Sequence, residues 1–476
     1  MNGTDALALL PLLLLGGTAV VVMLAISVKR SHPVTAGLTL AGLAASFLSI
    51  FAVAPLVPRQ VTSLLLVDGY ALFYLGLIIA SAAAVAVLSY SYFAKQDGKR
   101  EELYLLLVLA TLGCAVLVTS VHFASFLLGL EILSIALYGM VGYVTDHGPG
   151  LEAGIKYLIL ASASAAFLLF GMALIYAATG TMSFSSLRDL PPGGSSLALL
   201  LPGIALSITG IGFKLGVVPF HLWTPDVYQG APAPVSAFVA TTSKTAMVAL
   251  LLRYLAPAIQ HSPALFVVLS VIAVASMVAG NLLGLRQTNV KRILAYSSIA
   301  HFGYILVALL AGTSMMDGAV AFYLVAYTVT ILIAFGVVGV LSTSEADAAN
   351  LEDYSGLFWR RPVLASVFTV ALLSLAGIPA TMGFVGKFYV LASGAEASAW
   401  ALNIVLVLAS VIGLFYYLRI VVTLFSAVPE GQRLPMQRLA WGSAFCLGGL
   451  AVLLVWFGVY PAPLLGLIRA TVGGLN

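Results

Sequence analysis

The chain has 476 residues, of which 62% are hydrophobic and only 8% charged. Soluble domains carry roughly a quarter charged residues, so this composition excludes one, and lipid and neighbouring helices must surround the core. A net charge of +4 is small for this length and gives no reason to expect a nucleic-acid partner.

A membrane crossing by one helix needs about 20 apolar residues. By that measure about fourteen spans follow in order. They start near Ala6, Thr35, Tyr70, Leu103, His122, Ile155, Ser196, Pro232, Ala264, Val290, Gly318, Pro362, Ala399 and Leu439. Most are joined by short polar or Gly/Pro-containing turns. The N-terminus lacks the basic region and small-residue cleavage site of a signal peptide, so the first apolar segment is expected to remain as a span. Cys114 and Cys446 fall in apolar runs with no CxxC pair nearby, so no haem, iron–sulfur or zinc site is readable. The fold class that follows is an all-α integral membrane protein.

Basic residues set the orientation. With the N-terminus outside, inside loops receive Lys29, Arg30, Lys95, Lys99, Arg100, Arg286, Lys291, Arg292, Arg360, Arg361, Arg433 and Arg438. The outside ends receive only Arg59, Arg188, Arg253 and Arg469. Both termini are then expected on the outside. Five basic residues remain within spans: Lys156, Lys214, Lys244, Lys387 and Arg419. Of the 17 acids, only Glu131 sits in mid-span.

These few charges carry the information. A charge at the bilayer centre costs at least ~3 kcal/mol on insertion scales and marks a functional site by default. Glu131 lies ~14 Å into the fifth span and Lys244 ~18 Å into the eighth from the other face, at 1.5 Å per residue. Lys214 lies deep in the seventh. A Glu131–Lys214 pair would leave Lys244 as the lysine that gives up its proton readily, as a proton carrier needs. The blander alternative is a permanent ion pair locking helices together. Lys156 follows Glu152 by four residues, which suits an i,i+4 pair or snorkelling. Arg419, near the inside end of its span, reads as an interface anchor. His301 is near mid-membrane in the tenth span, either a proton relay with water or a buried histidine bonded to a serine such as Ser297. Tyr304, Tyr323, Tyr327, Ser243 and Thr330 can hold ordered water.

Pro219 follows Lys214 and clashes with the carbonyl four residues back, so the seventh span is predicted to break there. His221, just beyond it, either connects the break to the inside or caps freed backbone groups. The twelfth span repeats the pattern: Pro379 lies among Gly377, Gly383 and Gly386, and Lys387 follows. Paired interrupted helices point to an internal repeat with ion sites at the breaks. The five-span offset is odd, so the two five-helix repeats are inverted. Residues 103–256 hold spans 4–8 and residues 264–426 hold spans 9–13. A three-helix segment, 1–102, precedes them, and the last span lies in 427–476.

The runs GFKLGVVPFHLWTPDVYQGAPAPVSAFVATTSKTA (Gly212 to Ala246) and LLGLEILSIALYGMVGY (Leu127 to Tyr143) resemble the antiporter-like membrane subunits of respiratory complex I and their Mrp-type cation/proton antiporter relatives. QTNVKRILAYSSIAHFGYILVAL (Gln287 to Leu309) and LSLAGIPATMGFVGKFYVL (Leu373 to Leu391) extend the resemblance over nearly the whole chain. It implies that Glu131 pairs with Lys214, that Lys244 and Lys387 are the eighth- and twelfth-helix lysines, and that His301 belongs to a central polar axis. It also implies a proton channel in the bacterial inner membrane, with both termini periplasmic. Other membrane subunits, including another antiporter-like one, would lie on either side. FMN, iron–sulfur clusters and the quinone site would belong to other subunits, leaving no cofactor here. The chain departs from the distal antiporter-like relative, which has a long lateral C-terminal helix. Two rivals stand beside this reading. One is a stand-alone Na⁺/H⁺ antiporter, although lysines do not offer a hard cation its oxygen ligands. The other is a non-pumping scaffold.

Overall fold

In a computed structural model the chain is described over residues 2–96, 98–144, 148–187, 197–427 and 439–473. Ser196, Arg188, Arg433 and Arg438, used in the sequence reading, lie outside these residues. Among the described residues, thirteen helices are long and apolar enough to cross a membrane. Pro362–Ala376 and Met382–Glu396, each too short alone, make up the remaining crossing. The expected fourteen spans are therefore present. Hydrocarbon offers no hydrogen bonds, so each crossing must satisfy its own backbone, and helices do.

Most span starts fall close to the predicted ones. The clearest difference is the sixth, which begins at Gly148 and not near Ile155. Pro149 reads as a turn residue, yet a proline in the first helical turn loses nothing, because no partner awaits its N–H. Several ends are fixed by polar caps. Asp68 accepts from the Ala71 amide at 2.8 Å to start the third span, and Asn289 accepts from Arg292 at 3.1 Å to start the tenth.

Between the second and third spans, Arg59–Val61 pairs antiparallel with Leu65–Val67 in a small hairpin. After the last span, Trp441–Val459, the short helix Ala462–Val472 packs back against the third and eleventh spans.

The eighth (Ala233–Ala256), tenth (Val290–Ala311) and eleventh (Met316–Leu341) spans form the enclosed centre, while the first, second and last present leucine, phenylalanine and tryptophan outward. Lys244 and His301 thus lie on the most enclosed helices.

Both predicted breaks are present. The seventh span runs as Leu197–Leu215, stops, and resumes as Trp223–Gly230. The stop falls at the residue whose carbonyl Pro219 would strike. Gly216 leads out of the helix at φ +69°, where only glycine is unstrained. In the twelfth span Gly377, at φ +83°, does the same after Ala376. A third irregularity was not foreseen: in the eighth span a π-helical turn, Val239–Ser243, stands directly before Lys244. Such turns redirect the residues that follow them and recur at functional sites.

Candidate functional site: a polar axis through the membrane

Four of the residues singled out from sequence, Lys214, Lys244, His301 and Lys387, are 3%, 0%, 4% and 7% exposed. The structure links them through hydroxyls and rings. Lys214, in the last turn of its half-helix, donates to Ser134 Oγ at 2.7 Å and to the Tyr157 hydroxyl at 3.4 Å. Its ammonium also lies 5.3 Å from the Tyr157 ring centre. The Tyr157 ring meets that of Trp223 at 4.9 Å, and Lys244 Nζ lies 6.0 Å from the Trp223 ring centre.

Lys244 is further surrounded by the rings of Phe302 at 4.7 Å and Tyr228 at 5.5 Å. It donates to Ser298 Oγ at 2.9 Å. Ser298 also accepts from the Tyr327 hydroxyl at 2.8 Å. With both lone pairs engaged, its own hydrogen is left for Tyr228, whose oxygen is 3.3 Å away.

The Tyr327 ring is 5.4 Å from His301. Both nitrogens of His301 are held: Nδ1 by the Tyr323 hydroxyl at 2.8 Å and Nε2 by the Tyr417 hydroxyl at 3.2 Å. The serine suggested for it, Ser297, bonds to Tyr417 instead. One imidazole nitrogen donates and the other accepts when the ring is neutral, and two phenols suit both roles. The Tyr304 ring then connects His301, at 5.3 Å, with the Lys387 ammonium, also at 5.3 Å. Tyr304 is fixed by Asn281, which donates to its hydroxyl at 3.0 Å. Lys387 donates to the carbonyls of Leu375 and Ala376 at 2.9 and 3.0 Å and to Ser410 Oγ at 2.7 Å. Those carbonyls belong to the turn that the twelfth-span break leaves without helical partners.

Glu131 does not pair with Lys214. The two are not in ion-pair contact, and Lys214 is held by Ser134, one turn along the fifth span from Glu131. Glu131 itself is half-buried. Depth along a helix can be counted from sequence, but which way the side chain faces cannot.

Lys156 lies off the axis. It bonds Glu152 at 2.7 Å, as its spacing suggested, and also Asp226 at 3.0 Å. Asp226 in turn binds Arg292 at 2.8 Å, so this network fastens the second half of the seventh span to the tenth. Arg419 donates to the carbonyls of Leu285 and Gln287, anchoring its span to the end of the ninth. His221 is half-buried beside Pro219, and its Nδ1 has no hydrogen-bond partner among the described residues.

Three features escaped the sequence reading. Ser298, Ser134 and Ser410 are the acceptors of the three axis lysines, and single serines in apolar helices carry no distinguishing signal. Asn281 did carry one, as an amide in mid-span. Lys291, assigned to a loop, is 1% exposed and paired with Asp347, and it donates to the Ala231 carbonyl at 2.6 Å. Among the described residues, no three His, Cys, Asp or Glu side chains come together in a way that could hold a metal.

Comparison with known proteins agrees with this architecture. Residues 120–413 match the family described as NADH:quinone oxidoreductase/Mrp antiporter, transmembrane. The chain belongs to this family of antiporter-like membrane subunits. Among its relatives is the NADH-quinone oxidoreductase subunit N of Ectopseudomonas mendocina (strain ymp), 49% identical over 97% of this chain and 96% of that protein. A chain of respiratory complex I from Thermus thermophilus with bound aureothin superposes with a TM-score of 0.83 at 34% identity, covering 96% of this chain and 98% of its own. A chain of the Mrp complex from Dietzia sp. DQ12-45-1b, 21% identical, shares the fold with a TM-score of 0.87 over 100% of this chain and 98% of its own.

Proposed function

We propose that this chain works as the subunit N of a proton-translocating NADH:quinone oxidoreductase in the bacterial inner membrane. In this reading it carries protons along the row from Lys214 through Lys244 and His301 to Lys387. Residues 103–256 and 264–426 act as two inverted repeats, both termini face the periplasm, and other membrane subunits flank the chain, another antiporter-like one among them. NADH oxidation, with its FMN and iron–sulfur centres, and quinone reduction belong to the partner subunits.

The observation that carries this reading is continuity. From Ser134 to Ser410 each buried nitrogen is joined to the next by a hydroxyl or an aromatic ring. Phenol and serine hydroxyls both donate and accept, so they can order water and pass protons along it. The Glu131 carboxylate, held off Lys214 here, provides the control. Brought to about 4 Å at an effective dielectric near 20, it would gain roughly 4 kcal/mol with that ammonium. Withdrawn, it leaves Lys214's positive charge to repel a proton on Lys244. Moving one charge against about 150 mV takes ~3.5 kcal/mol, so the scale is adequate.

The test is the proton-to-electron ratio of the assembled complex in vesicles, with Lys214→Met, Lys244→Met and Lys387→Met measured one at a time. Each variant should move fewer protons per electron than the parent and also slow quinone-linked NADH oxidation. An unchanged ratio in all three would make the chain a scaffold. Sodium-driven uptake by vesicles holding this chain alone would favour the antiporter.

A further inference from the structure

The break in the seventh span holds a hydroxyl that the axis described so far does not use. Thr224, in the first turn of Trp223–Gly230, is 0% exposed, and its Oγ1 has no hydrogen-bond partner among the described residues. Buried hydroxyls are nearly always bonded, so an orphan needs an explanation. Its location suggests one. A β-carbon placed on Gly216 would lie 2.5 Å from Thr224 Oγ1 and 3.3 Å from Lys244 Nζ. The orphan hydroxyl and the central ammonium therefore flank the same point, above a residue with no side chain. They are too far apart to bond directly, yet close enough for one water to join them. Lys244 has hydrogens to spare, since Ser298 takes only one of its three.

We propose that Thr224 is the positioning residue that holds a water against Lys244, and that this water loads the lysine with its proton. The inference rests on the transport reading given above. Thr224 Oγ1 fixes the water with its oxygen toward the break and a hydrogen toward the lysine. When Lys244 is a neutral amine, the water gives it that hydrogen and takes another from the water behind it. One proton thereby moves onto Lys244, and the Thr224–water pair is left unchanged. Gly216 is part of the device, because any side chain there would occupy the space the water needs. The π-helical turn Val239–Ser243 directs the lysine toward it.

The test compares Thr224→Ser, Thr224→Ala and Thr224→Val in the assembled, vesicle-reconstituted complex, with Lys244→Met as reference. The readouts are the proton-to-electron ratio and the pH profile of quinone-linked NADH oxidation. Serine keeps the hydroxyl and should retain the most activity. Alanine leaves room for a second water in place of the hydroxyl and should be intermediate. Valine fills the space with a methyl and should be worst, by about tenfold, the scale of one lost hydrogen bond to a charged group. Its pH profile should also shift.

A residue that only packs would give a different order. Valine, which keeps the shape and removes an unbonded hydroxyl, would then equal or exceed serine, and alanine would be worst. That order, or a valine variant with the parent ratio and profile, overturns the inference. If this happens while Lys244→Met still abolishes pumping, only the role of Thr224 falls. If Lys244→Met pumps at the parent ratio, the transport reading falls with it.

Discussion

Lys244 and Ser298 meet at 2.9 Å between the eighth and tenth spans, and this is the one side-chain hydrogen bond that the central ammonium makes among the described residues. Among the described residues, no carboxylate is in ion-pair contact with Lys244. The ammonium is held instead by one serine and three aromatic rings, those of Trp223, Tyr228 and Phe302.

Ser298→Ala should therefore affect transport more than folding. It removes the acceptor shared by Lys244 and Tyr327 and the link from the lysine toward His301. A hydrogen bond to a charged group is worth roughly 1.5–3 kcal/mol, so the pumping rate should fall about tenfold or more. The amount of assembled complex should stay close to the parent's. Parent-like pumping would show that the Ser298 bond is incidental.

The second break depends on Gly383 for a different reason. A β-carbon there would lie 1.9 Å from the Ser374 backbone oxygen, where nothing flexible can yield. The same corner is tied by Ser374 Oγ, which accepts from the Gly383 amide at 3.1 Å and meets Thr330 Oγ1 at 3.1 Å. Overpacking typically costs 1–3 kcal/mol and more against rigid backbone. Gly383→Ala should accordingly reduce the amount of intact complex on a native gel, whereas Gly448→Ala, with open space around it, should not.

Outside the spans, Asp5 fastens the N-terminal turn to the hairpin. It accepts from Arg59 at 2.6 Å and from the Asn2 amide at 2.7 Å. The Asn2 hydrogen bond first, and then Arg59, hold its carboxyl below the ordinary value of 3.8. For a depressed carboxyl, the stabilisation is complete above the unfolded value and disappears as pH falls through the folded one. Hydrogen exchange at Gly3–Ala8, corrected for intrinsic rates, should be level from pH 6 to 8 and rise only below about pH 3.8. Asp5→Asn should show the faster exchange already at neutral pH. Equal exchange in parent and variant would mean that the clasp holds nothing.

Much of this was legible in the sequence because the bilayer makes simple demands. An apolar run either is or is not long enough to cross, and a proline after a mid-span lysine has few ways to be accommodated. The depths of Lys214, Lys244 and His301 followed by counting residues. What could not be counted was direction around the helix. Glu131 and Lys214 sit at compatible depths, yet Ser134 takes the contact. Nor does VATTS announce a π-helical turn, which packs against the third, fourth and eleventh spans, all distant in sequence. Lys291 looked like a loop residue because Asp347, which covers it, arrives 56 positions later.

The most direct test is to watch the Lys244 ammonium during turnover. Isotope-edited infrared difference spectra of the reconstituted complex, with ¹⁵N-labelled lysine, would report loss and recovery of its N–H₃⁺ bands as NADH is consumed. The account predicts a lysine signal that cycles with turnover and is missing from Lys244→Met. A difference spectrum with no Lys244-dependent band, while pumping proceeds, would contradict it.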